Sequence, residues 1–259
     1  MQFPVLNFQQ VSSFTLVFLR ITALIVMIPV FGDRTVPARV KAGLGLILAV
    51  IIYPFLKMET LPPFSSNYIS MIIGMMGEVF IGIIIGFAAR CIFAGVQSAG
   101  ELIGFQMGFS MASVLDPLSN VQISALSEFQ YLIAMVIFLF VDGHHIFLNA
   151  IVESYRSIPP LGFSFSGSLM EMLYTYTRDV FVIAVKISAP IMAVMIFVNV
   201  GLGVIARTVP QINVFIVGFP LQIAVGFLFL GFSIPLLVNW LSTVFQELPA
   251  EIRQMMLLM

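Results

Sequence analysis

The sequence predicts an all-α, polytopic membrane protein, and its composition carries most of that prediction. Of 259 residues, 60% are hydrophobic and only 9% are charged, and the mean hydropathy is +1.11. Soluble domains carry about 25% charged residues, so a water-soluble fold of this length cannot hide so much apolar surface. About six apolar segments approach the length of about 20 residues that crosses a bilayer as a helix. Helices are expected there because they satisfy their backbone hydrogen bonds internally.

The apolar segments are joined by polar links, without a soluble domain between them. We therefore predict a single membrane domain over residues 1–259. Its expected apolar segments are 11–31, 42–56, 68–93, 129–151, 180–205 and 214–241. The first is expected to be a membrane element rather than a cleaved signal peptide, because its start has no basic residue and Arg20 interrupts it. Pro29 is expected to kink or end its helix.

Residues 32–41 form the link with the densest positive charge, with Arg34, Arg39 and Lys41 close together. Short loops rich in Lys and Arg stay on the cytoplasmic side of a membrane. The same side chains also anchor helix ends by reaching for the interface, and the two interpretations are compatible. The next link, 57–67, contains prolines and serines and is expected to be a surface loop.

A stripe of mostly small residues begins within the third segment and continues past the end of that segment. It falls on Gly82, Gly86, Arg90, Ala94 and Ser98, and again on Gly100, Gly104 and Gly108. Such a face lets another backbone lie close, so we predict one long helix over 68–111, or two helices broken near Gly95. Arg90 and Glu101 lie on nearly the same face but about 16 Å apart along the axis, so each needs a partner elsewhere.

Residues 95–120 are too polar to face lipid and too apolar for an ordinary loop. Glu101 and Gln106 need polar partners there, since a charge at the centre of a membrane helix costs about 3 kcal/mol on insertion scales. Asp116-Pro117 ends the helix, because the residue before proline is driven out of the α region. A closely packed polar segment that ends in a forced turn indicates a pore, a gate or a binding site.

Met107 and Met111 lie one helical turn apart in this stretch, beside Phe105 and Phe109. One interpretation is adaptable filling of a hydrophobic core. The other is a soft apolar constriction that closes around a passing chain. The sequence favours neither.

The later segments carry their own interruptions. The Asp-Gly-His-His sequence at 142–145 breaks the fourth run. The polar stretch 153–168 is expected to be an exposed loop, and 206–213 a tight turn between the last two segments. The tail after Trp240 is expected to form a short amphipathic helix.

The most informative feature is the set of ionisable residues at membrane depth. They are Arg20, Glu78, Arg90, Glu101, Asp116, Lys186 and Arg207. Either they are paired charges that fix packing between subunits, or they form a proton or ion relay. A transporter would place broken helices in two related halves, which are not visible. Pairing is favoured, because an unpaired buried charge is costly.

The residues give no sign of a catalytic, cofactor or metal site. No Ser-His-Asp set, phosphate loop or dinucleotide fingerprint is present. The histidines at 144–145 have no further ligand at metal-binding spacing, so a helix-end turn is favoured over a metal site or a pH switch. The net charge of −1 argues against a nucleic-acid partner. Cys91 is expected to be a small buried hydrophobe.

Four stretches together resemble one known family. They are Ala-Gly-Glu-Leu-Ile-Gly-Phe-Gln-Met-Gly at 99–108 followed by Asp116-Pro117, the basic link at 34–45, the Asp-Gly-His-His sequence at 142–145, and 207–215 with Gly218-Phe219-Pro220. Their residues and order resemble the FliR family of the flagellar type III export apparatus over nearly the whole chain. The Asp-Gly-His-His sequence looks more like the flagellar branch than the injectisome branch.

The resemblance implies a structural protein rather than an enzyme, without a cofactor. Members of the family join FliP and FliQ in the export gate of the bacterial inner membrane, at the centre of the flagellar basal body. Their kinked helical hairpins form a spiral around a pore through which unfolded flagellar subunits pass. FlhB associates with the outside of that complex and FlhA lies beneath it.

The resemblance also implies roles for particular residues. A family loop that plugs the pore corresponds to 108–118 here, with Gly108, Phe109, Ser110, Met111, Ala112, Ser113, Val114, Leu115, Asp116 and Pro117. The residues expected to pack between subunits, or to be buried polar groups, are Glu78, Arg90, Gly100, Glu101, Gly104, Gln106, Lys186 and Arg207. The alternatives are an injectisome export-gate subunit, or an ion-coupled transporter with Glu78, Glu101 and Asp116 as its relay.

Overall fold

The computed structural model describes residues 8–33, 35–56, 68–109, 125–209, 211 and 213–259, and these ranges are predominantly α-helical. The helices are α1 (Phe8–Met27), α2 (Ala38–Ile52), α3 (Tyr68–Gln106), α4 (Ala125–Phe140), α5 (Gly143–Ser157), α6 (Gly167–Thr208) and α7 (Val214–Leu257). A 3₁₀ turn, Tyr53–Phe55, extends α2. The all-α prediction is confirmed.

Five helices within the described ranges are long and apolar enough to cross a membrane. They are α1, α2 with its 3₁₀ turn, α3, α6 and α7. The pair α4 and α5 makes a sixth candidate if both helices belong to one broken span, with a bend of 63° between them. The prediction of a polytopic helical membrane protein is confirmed by these lengths and compositions.

Helix ends follow local chemistry where proline or glycine is decisive. Helix α1 ends at Met27, just before Pro29, as predicted. Helix α3 continues unbroken through Gly95, and the alternative of two helices is wrong. The expectation that α3 extends to 111 is also wrong, because it ends at Gln106 and Gly108 takes a left-handed conformation with φ +82°.

Two polar stretches are more helical than the sequence suggested. Helix α5 continues to Ser157, well into the stretch 153–168 that was expected to be a loop. The tail after Trp240 continues α7 to Leu257 rather than forming a separate short helix. Burial explains both differences, since Ser154 and, in the tail, Leu248 are completely buried.

The chain divides into two compact units. Unit 1 comprises Met1–Arg90, Asp142–Thr175 and Phe245–Met259, and unit 2 comprises Cys91–Val141 and Tyr176–Val244. Each unit has its own buried apolar residues. In unit 1 the completely buried side chains include Leu16, Ile21, Leu24, Ile81, Ile85 and Phe147, and in unit 2 they include Ile103, Met107, Phe138 and Met195.

In unit 1, α1 lies directly against the glycines of α3. A Cβ atom added at Gly82 would lie 2.5 Å from the carbonyl oxygen of Arg20 and 2.9 Å from the backbone nitrogen of Leu24. One turn later, a Cβ at Gly86 would collide with the side chain of Met27. The first part of the small-residue stripe therefore serves close packing within this chain, as expected of such a face.

The C-terminus closes unit 1 through backbone oxygens. Ser164 donates from its backbone nitrogen to the carbonyl oxygen of Met259 at 2.9 Å, and Ser166 Oγ donates to the carbonyl oxygen of Leu258 at 2.7 Å. An exposed ion pair joins Arg253 Nε to Glu153 Oε1 at 2.8 Å. These contacts hold the end of α7 beside the loop between α5 and α6.

In unit 2, glycines of α3 receive α4 and α6. A Cβ at Gly100 would lie 2.5 Å from the Cα of Ser127, and Ser127 Oγ donates to the carbonyl oxygen of Gln97 at 3.0 Å. A Cβ at Gly95 would lie 2.6 Å from Cγ2 of Ile183. Small residues on α3 thus determine how closely two further helices approach it.

Helices α6 and α7 form a long antiparallel hairpin within unit 2. Near the turn that joins them, Gln222 Nε2 donates to Asn199 Oδ1 at 2.6 Å. Further from the turn, Lys186 Nζ lies 5.9 Å from the ring centroid of Trp240. Residues that lie further from the turn on α6 contact residues that lie further from the turn on α7, as expected of two antiparallel helices.

The glycine contacts give a stability prediction for Gly100. Gly100→Ala should lower the melting temperature, because its Cβ meets backbone atoms that cannot move aside, and overpacking costs about 1–3 kcal/mol. The measurement is thermal labelling of Cys91, the chain's one cysteine, whose residue is only 5% exposed. The matched control is Gly203→Ala on α6, where a Cβ meets nothing within 4 Å; equal melting temperatures for the two variants would contradict the packing role.

Candidate functional site

The end of α3 is a glycine-dependent turn. Phe109 donates from its backbone nitrogen to the carbonyl oxygen of Gly104 at 3.0 Å, and Gly108 donates to that of Phe105 at 3.1 Å. These two bonds, with Gly108 at φ +82°, form a Schellman motif that satisfies the last carbonyls of a helix. The chain therefore leaves α3 in a direction fixed by Gly108, at the first residue of the predicted plug.

The turn lies against α7. A Cβ at Gly108 would be 3.0 Å from Cδ1 of Phe219 and 3.3 Å from Oε1 of Gln222. Gln222 is itself held by its hydrogen bond with Asn199. A larger residue at 108 would meet both an unfavourable backbone conformation and an occupied space.

The residues on either side of Gly108 are anchored. Met107 is completely buried, and its side chain fills the room left by Gly226, where a Cβ would lie 2.6 Å from Met107 Cε. Phe109 packs on the same cluster, with its ring 6.1 Å from that of Phe227 at 87°. Met107 is thus a core residue of unit 2.

The rest of the predicted plug, 110–117, lies outside the described residues. Its residues are Ser110, Met111, Ala112, Ser113, Val114, Leu115, Asp116 and Pro117. Their role as a plug stays a prediction. What the structure supplies is the fixed point from which this segment departs, Gly108 and Phe109.

A buried ion pair lies at the centre of unit 1. Arg20 Nε on α1 donates to Glu78 Oε2 on α3 at 2.6 Å, and the side chains are 1% and 0% exposed. The other carboxylate oxygen, Oε1, accepts a bond from the backbone nitrogen of Leu161 at 3.0 Å. Glu78 is therefore bound by a guanidinium and a backbone N–H.

The guanidinium has further partners on α5 and just beyond it. Arg20 Nη1 donates to Ser154 Oγ at 3.3 Å and to the carbonyl oxygen of Ile158 at 3.1 Å. The ring of Tyr155 covers the guanidinium, with its centroid 4.1 Å from Cζ, a distance at which cation–π attraction operates. The phenol oxygen of Tyr155 donates to the carbonyl oxygen of Val17 at 3.2 Å.

This arrangement ties three helices and a loop together. Sequence reasoning named Arg20 and Glu78 as candidates but did not pair them, and it missed Ser154, Tyr155 and Leu161. The sequence indicated only that each of these two charges needs a buried partner. A carboxylate engaged on both oxygens is suited to fixing structure rather than to carrying protons between sites.

The other predicted packing residues fall into two groups. Gly100 and Gly104 are buried in unit 2, and Gln106 is half-buried. Arg90, Glu101, Lys186 and Arg207 are exposed at the surface of the chain. Arg90 and Glu101 form no ion pair with each other, as their spacing predicted.

The Asp-Gly-His-His sequence forms the bend between α4 and α5. Asp142 has φ 55°, and its carbonyl oxygen accepts a bond from the backbone nitrogen of His145 at 2.9 Å. Its carboxylate lies 3.4 Å from Nδ1 of His145. One ligand atom from each of Asp142, His144 and His145 lies within 4.8 Å of the others. The backbone geometry is that of a turn between the end of α4 and the start of α5.

Comparison with known proteins gives a consistent result. The model of "Bacterial export proteins, family 1" matches residues 11–248. The chain is 38% identical over 224 residues to "Flagellar biosynthetic protein FliR" of Bacillus subtilis (strain 168), covering 84% of each chain. It is 32% identical over 237 residues to the protein of the same name from Pectobacterium carotovorum subsp. carotovorum, covering 92% of this chain and 90% of the relative. For Escherichia coli (strain K12) the identity is 30% over 230 residues, covering 89% and 87%.

Breaking the buried pair should be costly. Arg20→Met should lower the free energy of unfolding by about 3–5 kcal/mol, because it leaves the Glu78 carboxylate buried without its cation. Arg20→Met combined with Glu78→Met should recover part of that loss. A denaturant titration of the full chain in detergent compares both variants with the unaltered chain.

Arg253→Met is the matched control for this pair. It breaks an ion pair at a similar distance but with Arg253 63% exposed, so it should cost less than about 1 kcal/mol. Equal losses for Arg20→Met and Arg253→Met would show that the buried pair contributes no more than a surface contact.

The turn at the end of α3 gives a second prediction. Gly108→Ala should destabilise the chain by about 1–2 kcal/mol, the cost of a left-handed conformation for a residue with a Cβ. The loss should persist in a Phe219→Ala background, since the strain lies in the backbone. Thermal labelling of Cys91 is the measurement; a loss that disappears in that background would mean that the side-chain clash alone is responsible.

Proposed function

Because the chain belongs to the bacterial export protein family 1, together with the flagellar biosynthetic proteins FliR, we propose that it is a pore-forming subunit of the flagellar export gate. It is a membrane-embedded flagellar component of the export apparatus. In the proposed role it passes unfolded flagellar subunits across the bacterial inner membrane and helps to close the channel at rest. This role requires no catalysis and no cofactor.

The observation that carries the proposal is the fixed turn at Gly108. A plug must be mobile where it fills the pore and firmly held where it begins. Phe109 is packed on the buried cluster that includes Ile103 and Met107, so the segment departs from a rigid part of unit 2. In the proposed gate, residues 108–118 project from this point into the channel.

Exposed charges on apolar helices support assembly with other subunits. Arg90, Glu101 and Arg207 are all at the surface of the isolated chain, and a charge that faced hydrocarbon would be costly. We infer that they meet polar groups of neighbouring subunits or line a wet pore. The proposed neighbours are homologues of FliP and FliQ in the gate, with homologues of FlhB and FlhA around it.

The alternatives have less support. The relatives compared above are all named as flagellar proteins, which favours the flagellar branch over an injectisome. An ion-coupled transporter would need Glu78, Glu101 and Asp116 as a relay. Glu78 is bound on both oxygens by Arg20 and Leu161, so it is a poor candidate for the exchange of protons.

Deleting 111–115 should open the resting gate. The plug would lose its centre, while the anchored residues Met107 to Phe109 and the helix contacts remain. Membrane vesicles that contain the assembled gate should then release a trapped small dye much faster than vesicles with the unaltered protein. Co-purification with FliP and FliQ homologues checks that assembly survives.

Deletion of 60–64 is the matched control. It removes the same number of residues from the link between α2 and α3, and the vesicles should stay tight. If the gate with the 111–115 deletion assembles and remains impermeable to ions and dye, these residues are not the plug.

A further inference from the structure

A cleft of about 190 Å³ opens between α4, α6 and α7 within unit 2. Most of its wall is aliphatic, from Ile133, Ile187, Pro190, Leu230, Ile234 and Leu237. Its polar groups come from Gln130, Lys186, Ser233 and Trp240. The hydroxyl of Ser233 is already used, since it donates to the carbonyl oxygen of Leu230 at 2.8 Å.

Lys186 places a positive charge in the cleft that has no carboxylate partner among the described residues. Its ammonium lies 5.9 Å from the Trp240 ring centroid, and no carboxylate of the described residues lies within 4.0 Å of it. Pro190, one turn further on in α6, has no N–H with which to bond the carbonyl oxygen of Lys186. A lone ammonium within the apolar run 180–205 requires an anionic partner.

Gln130 provides a hydrogen-bond acceptor that needs a donor. Its side chain is buried, with the residue 3% exposed, and its Oε1 has no hydrogen-bond partner among the described residues. A buried acceptor left without a donor is destabilising. An occupant of this cleft must therefore bring both an anion for Lys186 and a donor for Gln130.

The cleft lies at the polar ends of two apolar runs. Lys186 comes seven residues after Asp179, about 10 Å along α6. Trp240 is almost the last residue of the apolar run 214–241 on α7. Lysine and tryptophan are typical of the boundary between lipid and water, where Trp rings sit at the level of the headgroups.

We propose that this cleft binds an anionic glycerophospholipid whose headgroup carries a free hydroxyl, with the chemistry of phosphatidylglycerol. The phosphate pairs with Lys186, the hydroxyl donates to Gln130 Oε1, and an acyl chain lies along the aliphatic wall. A carboxylate from another subunit satisfies Lys186 but has no donor for Gln130. This site replaces the subunit-packing role predicted for Lys186, and it does not depend on the proposed export function.

Tryptophan fluorescence reports on this cleft without a label, because Trp240 is the one tryptophan of the chain. The full chain in vesicles is titrated with brominated phosphatidylglycerol and with brominated phosphatidylcholine, whose bromine atoms quench nearby tryptophan fluorescence. The apparent binding constant should be about fivefold higher for phosphatidylglycerol, as expected of one basic residue near a lipid surface. Lys186→Ala should reduce that ratio to about one, and Lys186→Arg should retain it.

Two further variants separate charge from the hydroxyl. Arg178→Ala is the control, since it removes a nearby cation that is already paired with Asp179 at 2.8 Å, and it should leave the ratio unchanged. Gln130→Leu should keep the preference over phosphatidylcholine. It should abolish an about fivefold preference for phosphatidylglycerol over phosphatidylmethanol, a phosphodiester of the same charge that lacks the headgroup hydroxyl.

Thermal labelling of Cys91 confirms that each variant is folded. Equal quenching by phosphatidylglycerol and phosphatidylcholine in the unaltered chain overturns the proposal. So does an unchanged ratio in folded Lys186→Ala. If that variant keeps its lipid preference but no longer co-purifies with a FliP homologue, the partner of Lys186 is a protein group and the lipid site is rejected.

Discussion

The pair formed by Arg20 and Glu78 is the constraint on which unit 1 depends. Both side chains are essentially inaccessible to solvent, so folding must remove two charges from water. That loss is offset only when the geometry is good and the remaining donors and acceptors find partners. Here α1 supplies the cation and α3 the anion, while α5 and the backbone of 158–161 supply three further bonds, and Nη2 of Arg20 has no hydrogen-bond partner among the described residues. If any one of these elements moved away, a buried charge would lose a partner inside an apolar interior.

Close helix packing makes such a pair possible. Gly82 lies next to the backbone of Arg20 and Leu24, so the backbone of α1 lies directly against α3 at this position. The short separation brings the guanidinium within 2.6 Å of a carboxylate only one turn before Gly82. In membranes, where lipid is as apolar as leucine, small residues of this kind allow helices to associate. The stripe of glycines and the buried charges are therefore parts of one packing arrangement.

Features that depend on neighbouring residues could be predicted from the sequence. Contacts between residues far apart in the chain could not. Composition gave the membrane helices, and Pro29 gave the end of α1, because these depend on few neighbouring residues. The end of α3 was placed too late, since helical spacing says nothing about the positive φ of Gly108. The partner of Arg20 is 58 residues away, and period and spacing do not specify which helices meet. For the same reason the small-residue stripe predicted close packing at Gly100 but not that Ser127 of the same chain would provide it.

The distribution of charge separates what the chain satisfies alone from what it leaves to its surroundings. Arg20 and Glu78 are paired inside one unit, whereas Arg90, Glu101 and Arg207 remain at the surface. Large apolar side chains such as Phe181, Phe197 and Phe232 are also exposed, each at more than 70%. Lipid alone accommodates the apolar groups but not mid-helix charges. A subunit in a protein assembly accommodates both, because its charges meet protein or water while its phenylalanines are covered. The surface of this chain is thus consistent with a component of a larger complex rather than with an isolated membrane protein.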